Sequence, residues 1–439
     1  MLETIKNAFK SPDIRKKIFI TLALLLVYRI GCYIPIPGLD IQAIKDATSD
    51  SGFITMMYSF TGGSMQYGTL FALGILPFIN SFIIIELLTL IIPRLSELAK
   101  DGEAGRKKIT QYTRYLSVLL GIIQAVGIIF SWNSSGGIDP VFGDSTASTV
   151  FTMIFVVIIL VGGSCMVMWL GEKITEYGIG NGTSLIIFIG IVSQLGLTIE
   201  SAIFEVIPNS GDATLIWYLF LFLLIVFLLF FLIVFVDMAD RKIPVSYAKQ
   251  IKGNKMYGGQ NTYIPIKVNS GGVMPIIFAS SLLMFPEMII SFIPDASTSG
   301  FGIFWSTWLG SNGYLYPLLM FILIIFFAYF YAQIQFNPVD ISKMLKQNGG
   351  FIPGIRPGPA TADYLKKINN RLVLFGALFL AFIALVPSYV LILVPGFRTL
   401  GFNSAFSATG LLIVVSVAIE SQKQLESQLL VKNNKGFLK

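Results

Sequence analysis

Long apolar runs recur along the whole chain, and its polar residues gather between them. About 20 consecutive apolar residues match the ~30 Å hydrocarbon core of a bilayer. Ten such runs stand out, at about 18–36, 75–92, 112–131, 150–170, 183–199, 214–236, 273–292, 314–335, 371–394 and 403–420. The sixth, from Leu215 to Val236, is almost unbroken Leu, Ile, Phe and Val. The fifth and tenth are short and carry polar residues, which predicts helices buried inside a bundle. In lipid only helices and closed barrels satisfy every backbone group, and runs this long and continuous are not barrel strands. The expected fold class is all-α integral membrane, with ten transmembrane helices.

Composition agrees. The 439 residues are 54% hydrophobic and only 13% charged, with a mean hydropathy of +0.76. Soluble chains carry roughly 25% charge, so most of this surface must face lipid. Disorder, coiled coil and collagen are excluded by the same figures. There is no histidine, which removes His-dependent triads, haem ligation and most catalytic zinc sites. Cys32 and Cys165 sit far apart in apolar runs and read as buried small hydrophobes, not as a disulfide or metal pair.

The net charge of +7 gains meaning from its placement. Cations at the very ends of spans are counted with the adjoining loop. On that count 28 of the 31 Lys and Arg residues fall in the two tails and the even-numbered loops, two fall on the opposite side, and Arg29 lies within the first span. The positive-inside rule then puts both termini in the cytoplasm. No small-x-small cleavage site follows the first span, so it is expected to stay as an anchor. Ten spans divide into an N-terminal half at 18–199 and a C-terminal half at 214–420, joined by an external hinge loop at 200–213. The cytoplasmic tails are residues 1–17 and 421–439. Five spans per half would make the second run inverted to the first, a common transport architecture.

Several stretches break the simple pattern. The first external loop ends in a piece too polar to span and too apolar for a solvated loop, Gly62-Gly63-Ser64-Met65-Gln66-Tyr67-Gly68-Thr69-Leu70. It either dips back to membrane depth, which requires burial or a cavity, or forms a short interfacial helix. The loops at 237–270 and 336–371 are long and basic. Alternation in Ile243-Pro244-Val245-Ser246-Tyr247 and Tyr263-Ile264-Pro265-Ile266-Lys267-Val268 about Gly258-Gly259 predicts a hairpin. The Gly- and Pro-rich stretch from Gly349 to Gly358 predicts a rigid exposed turn. These cations either carry function or only set topology and touch anionic lipid. Glu86, inside the second span near its cytoplasmic end, is expected to snorkel or to accept a hydrogen bond from protein. Arg29 is expected to reach the outer interface.

No P-loop spacing occurs; Gly102-Glu103-Ala104-Gly105-Arg106-Lys107-Lys108 is glycine-rich and basic but wrongly spaced. No span carries the line of carboxylates or arginines of a proton relay, ion-coupled transporter or voltage sensor. Any pathway is therefore apolar and unpowered from within.

Four strings together resemble the SecY family of bacterial protein-conducting channel subunits. They are Tyr28-Arg29-Ile30-Gly31 with Ile34-Pro35-Ile36-Pro37-Gly38; Leu73-Gly74-Ile75-Leu76-Pro77-Phe78-Ile79 with Ile83-Ile84-Ile85-Glu86-Leu87-Leu88; Trp169-Leu170-Gly171-Glu172-Lys173-Ile174-Thr175-Glu176-Tyr177-Gly178-Ile179-Gly180-Asn181-Gly182-Thr183-Ser184; and Phe351-Ile352-Pro353-Gly354-Ile355-Arg356-Pro357-Gly358. Two positions depart, Glu86 where the family usually has Gln, and Phe82 where it has a small or polar residue. The resemblance implies two inverted five-helix halves around an hourglass pore. It implies a waist of Ile75, Ile79, Ile187, Ile277 and Ile413, although isoleucine on a membrane helix is ordinary. It makes residues 62–70 a plug in the outer funnel. It also implies a lateral gate between the second and third spans on one half and the seventh and eighth on the other. Ser81, Glu86, Gln124 and Asn269 match that seam; plain helix packing is the other account of Gln124 and Asn269.

By the same resemblance Arg241 and Arg356 engage a ribosome or the SecA motor. SecE and SecG are small membrane partners, and signal sequences and unfolded polypeptides are the cargo. No cofactor, metal or covalent chemistry is implied. Two rivals stand beside this reading. A small-solute secondary transporter would show midplane charges or ion-coordinating clusters. An intramembrane protease would need paired aspartates or a Ser-Lys pair inside the spans.

Overall fold

A computed structural model of the chain describes residues 9, 11–48, 61–134, 136–141, 145–210, 214–247, 250–252, 255–257, 262–291, 300–310, 313, 315–400, 402 and 408–436. Ten principal helices fall on the ten apolar runs. They are α1 (Pro12–Gly31), α2 (Leu76–Ile91), α3 (Gly102–Ser134), α4 (Thr146–Tyr177) and α5 (Gly182–Ser201). After them come α6 (Thr214–Asp237), α7 (Met274–Ser291), α8 (Tyr316–Gln335), α9 (Pro359–Leu393) and α10 (Ala408–Gly436).

Among the described residues, α3, α4, α5, α6, α8 and α9 are long and apolar enough on their own to cross a membrane. Helix α2 does so only together with Pro93–Lys100, to which it is bent by 102°. Pro93 at the start of that second helix marks the break, because its ring has no N–H for the preceding turn. Helix α1 begins six residues before Ile18 and ends at Gly31, so the expected last residues of the first span are turn and extended chain. The first residues of the tenth run, 403–407, lie outside the described residues, and α10 instead runs on through the charged stretch beyond it.

By packing, the chain forms two compact units. One comprises Met1–Leu219, Ser281–Tyr316 and Leu391–Lys439; the other comprises Phe220–Ser280 and Pro317–Val390. The first unit is centred on a buried cluster from α3 (Ala125, Ile128, Ile129, Trp132), α4 (Val156, Leu160) and the chain before α2 (Met65, Ala72, Leu73). A second cluster joins Ile14 and Ile18 of α1, Ile179, and Leu425 and Leu429 of α10. There Lys17 Nζ donates to Gln428 Oε1 at 3.2 Å, and the Ile179 N–H donates to Thr21 Oγ1 at 3.0 Å.

The turn from α4 to α5 is tight. Asn181 caps α5 by accepting from the Thr183 N–H at 3.1 Å. A Cβ on Gly182 would lie 1.9 Å from the Gly171 carbonyl oxygen, so no larger residue fits while the two helix ends stay this close.

The second unit holds the basic loops. Strand β1 (Asp240–Tyr247) pairs antiparallel with β4 (Thr262–Lys267), with Ile243 opposite Ile264, and with β5 (Gly350–Phe351), giving the order β4-β1-β5. The expected hairpin is present in these strands, while its glycine turn, Gly258-Gly259, lies outside the described residues. Between them β2 (Gln250–Lys252) and β3 (Lys255–Tyr257) form a second, smaller ladder. Alternation places Ile243, Val245 and Ile266 on one face, where they are buried with Leu345, Ile352 and Leu365. Ala328 and Ala332 of α8 meet Val373 and Ala377 of α9, the small-residue contact that lets membrane helices approach closely.

Candidate functional site

Residues 61–75 leave helical geometry between the first two membrane helices. From Gly62 onward they are a chain of turns, with Thr61, Ser64, Met65, Thr69, Phe71, Ala72 and Leu73 all at most 1% exposed. Of the two expectations for this stretch, burial in protein holds and the interfacial helix does not. Many of its backbone polar groups have partners, as burial requires. The Ile36 N–H donates to the Gly68 carbonyl and the Leu70 N–H to the Ile34 carbonyl, each at 2.9 Å, forming a bridge about Pro35 and Thr69. Side chains tie the turns to each other. The Ser64 hydroxyl donates to the Thr61 carbonyl at 2.9 Å, with the Phe71 carbonyl 3.0 Å away, and Thr69 Oγ1 donates to the Ser64 carbonyl at 2.9 Å.

Helices surround the segment. Met65 enters the cluster built from α3 and α4. The Phe71 ring stacks on Tyr28 of α1 with centroids 5.8 Å apart. Gly62 has a φ of +65°, and a Cβ there would sit 2.7 Å from Cα of Gly190 on α5. Only glycine meets both conditions.

Ile75 caps α2 directly after this segment and is 3% exposed; Ile79, one turn on, is half-buried. Ile187 lies one turn before Gly190 on α5 and is buried, as is Ile413 on α10, and α5 and α10 pack together. These four belong to the first unit. Ile277, buried on the first turn of α7, belongs to the second.

The polar residues assigned to the seam are placed as follows. Ser81 is fully buried and donates to the Pro77 carbonyl at 2.7 Å, so its own helix satisfies it. Asn269 donates to Asp237 Oδ1 at the end of α6, at 3.0 Å. Gln124 is buried, and its Oε1 has no hydrogen-bond partner among the described residues. Glu86 is half-buried, and its buried Oε2 has no hydrogen-bond partner among the described residues, so the expected hydrogen bond from protein is not made there. Phe82 is 39% exposed. Asn80 Oδ1, Gln194 Oε1 and Ser416 Oγ, on α2, α5 and α10, are further buried polar atoms with no partner among the described residues. Sequence reading passed over them, although each is a polar interruption of an apolar run.

Arg29 corrects another expectation. It turns inward, donating to the Gly62 carbonyl at 3.4 Å and to Ser193 Oγ of α5. Cys32 is buried and Cys165 half-buried, and both are free thiols.

In the second unit Arg241 is exposed near the start of β1, opposite Ile266 in register. Arg356 lies on the exposed turn after β5, where its carbonyl accepts from Thr361 Oγ1 at 2.9 Å. The buried cluster under the sheet holds both segments. Neither guanidinium joins an ion pair among the described residues.

The profile of the SecY family matches residues 69–421. The chain belongs to the SecY family. It is 44% identical over 456 residues to the protein translocase subunit SecY of Streptomyces galbus, with both chains covered in full. Its fold is that of a solved protein-conducting channel, with a TM-score of 0.62 at 20% identity over 94% of this chain and 92% of that one. It is also that of Sec61 in a canine ribosome–channel complex from the endoplasmic reticulum, with a TM-score of 0.58, 20% identity and the same coverage. SecY members are protein-translocation channels and not enzymes, which removes the protease reading. The matches lend no support to a small-solute transporter. The chain is a multi-pass membrane protein, in line with its six long apolar helices and with its family.

Proposed function

We propose that this chain is the central channel subunit of a bacterial protein translocase. It passes unfolded secretory preproteins across the cytoplasmic membrane and releases transmembrane segments sideways into lipid. The observation that carries this reading is the non-helical segment 62–74, largely buried among α1, α3, α4 and α5. Irregular backbone at membrane depth is stable only where protein or a cavity surrounds it. A plug resting in the outer funnel of two inverted halves is that situation.

The waist of the pore is the set Ile75, Ile79, Ile187, Ile277 and Ile413. An apolar neck of this kind dewets, and an ion entering it would forgo hydration worth on the order of tens of kcal/mol. A sliding polypeptide meets no hydrogen-bonding groups there to hold it. Ser81, Glu86, Gln124 and Asn269 line the side opening, where interhelical hydrogen bonds of roughly 0.6–2 kcal/mol keep a seam shut yet openable. Both termini and the sheet carrying Arg241 and Arg356 face the cytoplasm. There the two guanidiniums meet the phosphates of a ribosome or the carboxylates of the SecA motor. SecE and SecG complete the complex, anionic lipid contacts the basic loops, and no cofactor takes part.

A photo-crosslinker at Ile277 tests this with a secretory chain arrested in transit. Adducts should form from Ile277 and Ile187 and not from the outward-facing Phe227, which is 72% exposed. An arrested chain crosslinking to Phe227 alone would overturn the proposal.

A further inference from the structure

The C-terminal end of α1 and its cap residue present three side chains to the plug-like segment. Tyr28 stacks on Phe71. Cys32 lies within hydrogen-bonding reach of the Ser64 side chain. Between them Arg29 donates through Nη1 to the Gly62 carbonyl and through Nη2 to Ser193 Oγ on α5. Its guanidinium carbon also lies 5.3 Å from the centre of the Tyr33 ring.

Arg29 forms no ion pair among the described residues. A cation inside a first membrane span is expensive, yet this one is spent on neutral acceptors alone: Tyr33 Oη four residues on, at 3.4 Å, and two from other elements, the Gly62 carbonyl and Ser193 Oγ. The latter two lie on either side of one contact, since Gly62 touches α5 at Gly190, one turn from Ser193. A planar fork with five N–H donors can bridge two such acceptors at once, whereas an ammonium on a flexible stem cannot hold both directions.

We propose that Arg29 is the latch that holds the segment in its buried position, by fastening its first turn to α5. The inference rests on that segment being the plug. When the segment leaves, the Gly62 carbonyl goes with it, and Arg29 keeps Ser193 and Tyr33. Opening therefore breaks one charge-assisted hydrogen bond at a defined atom, and the latch sets the closed population without touching the pore waist or the docking arginines.

The test uses the full chain in its translocase complex in proteoliposomes, with Cys32 and Cys165 replaced by serine. Met65→Cys reports exposure of the segment, and Leu160→Cys, on α4 in the same cluster, reports general loosening. Labelling by a membrane-impermeant maleimide is the readout. Arg29→Met should raise the Met65→Cys rate at least about tenfold, equivalent to about 1.4 kcal/mol, and leave Leu160→Cys unlabelled. Arg29→Lys, which keeps the charge but not the fork, should give a smaller rise. Wild-type rates in both variants overturn the latch, and so does equal labelling at Met65 and Leu160. Should Arg29→Met fail to insert, Arg29→Lys decides by the same criteria.

A separate variant, Ser64→Cys with native Cys32 kept and Cys165→Ser, tests the underlying reading. Oxidation should pin the segment and stop preprotein transport until a thiol reductant is added. Transport through the oxidised channel would sink the plug reading, while the labelling rates still judge the Arg29 contact.

Discussion

Substituting alanine at Gly62 turns the docking of the segment into a measurement. The φ of +65° places this residue in the left-handed region, which costs an L-residue roughly 1–2 kcal/mol. The new Cβ would lie 2.7 Å from Cα and 2.9 Å from the carbonyl oxygen of Gly190. Carbon atoms rest at about 3.5–4 Å, so one partner must retreat by close to an ångström. Helix α5 is wedged by α4 and α10, and the contact on it is backbone, so the segment yields. Strain and lost packing together come to about 2–3 kcal/mol, a roughly 30- to 150-fold shift toward the undocked state. Single-channel conductance of the purified complex in planar bilayers at rest, per inserted channel, reads this shift as ion leak. Gly136→Ala is the control: its φ is +73° but nothing lies within 4 Å of its Cβ, so it pays the backbone cost without the clash. Leak in Gly62→Ala no greater than in Gly136→Ala would refute the docking argument.

Other substitutions probe the remaining parts. Ile277→Asn or Ile413→Asn should wet the neck, raise resting conductance and admit preproteins with defective signal sequences; unchanged leak and unchanged signal stringency in both would count against the waist. Arg356→Glu should abolish motor- or ribosome-driven export while the protein still inserts, and Arg241→Glu should weaken it; normal export by Arg356→Glu removes the docking role. Asn269→Ala takes the donor from Asp237, a hydrogen bond to a charged group worth about 1.5–3 kcal/mol. The thermal midpoint of the detergent-purified complex should fall, and an unchanged midpoint would show that solvent replaces the amide without cost.

The ten helices were legible because lipid leaves the sequence little choice. Each apolar run of sufficient length must close its own backbone hydrogen bonds, and a helix falls on each of the ten. Their ends were less legible. Helix α3 runs back to Gly102 and α10 on to Gly436, because a helix persists past the bilayer wherever its polar continuation finds packing. For α10 that packing is Leu425 and Leu429 against Ile14, Ile18 and Ile179. The sheet of the second unit showed in the alternation of β1 and β4, whereas β5, two residues between Gly349 and Ile352, carries no period to detect.

Side-chain partners were the part hidden from the sequence. Ser81 and Glu86 look alike as polar interruptions of one apolar helix, yet one bonds its own backbone and the other buries an unpartnered oxygen. Arg29 sits two residues before the end of α1, where chain position alone favours reaching for the interface. The reason it turns inward is an acceptor 33 positions away and another 164 away. Both acceptors converge only because Gly62 can touch α5. The contact that decides where the charge points is thus made by a residue with no side chain. A pattern of polar and apolar positions can show that such a glycine lies in an odd place, but not which surface it lets the chain approach.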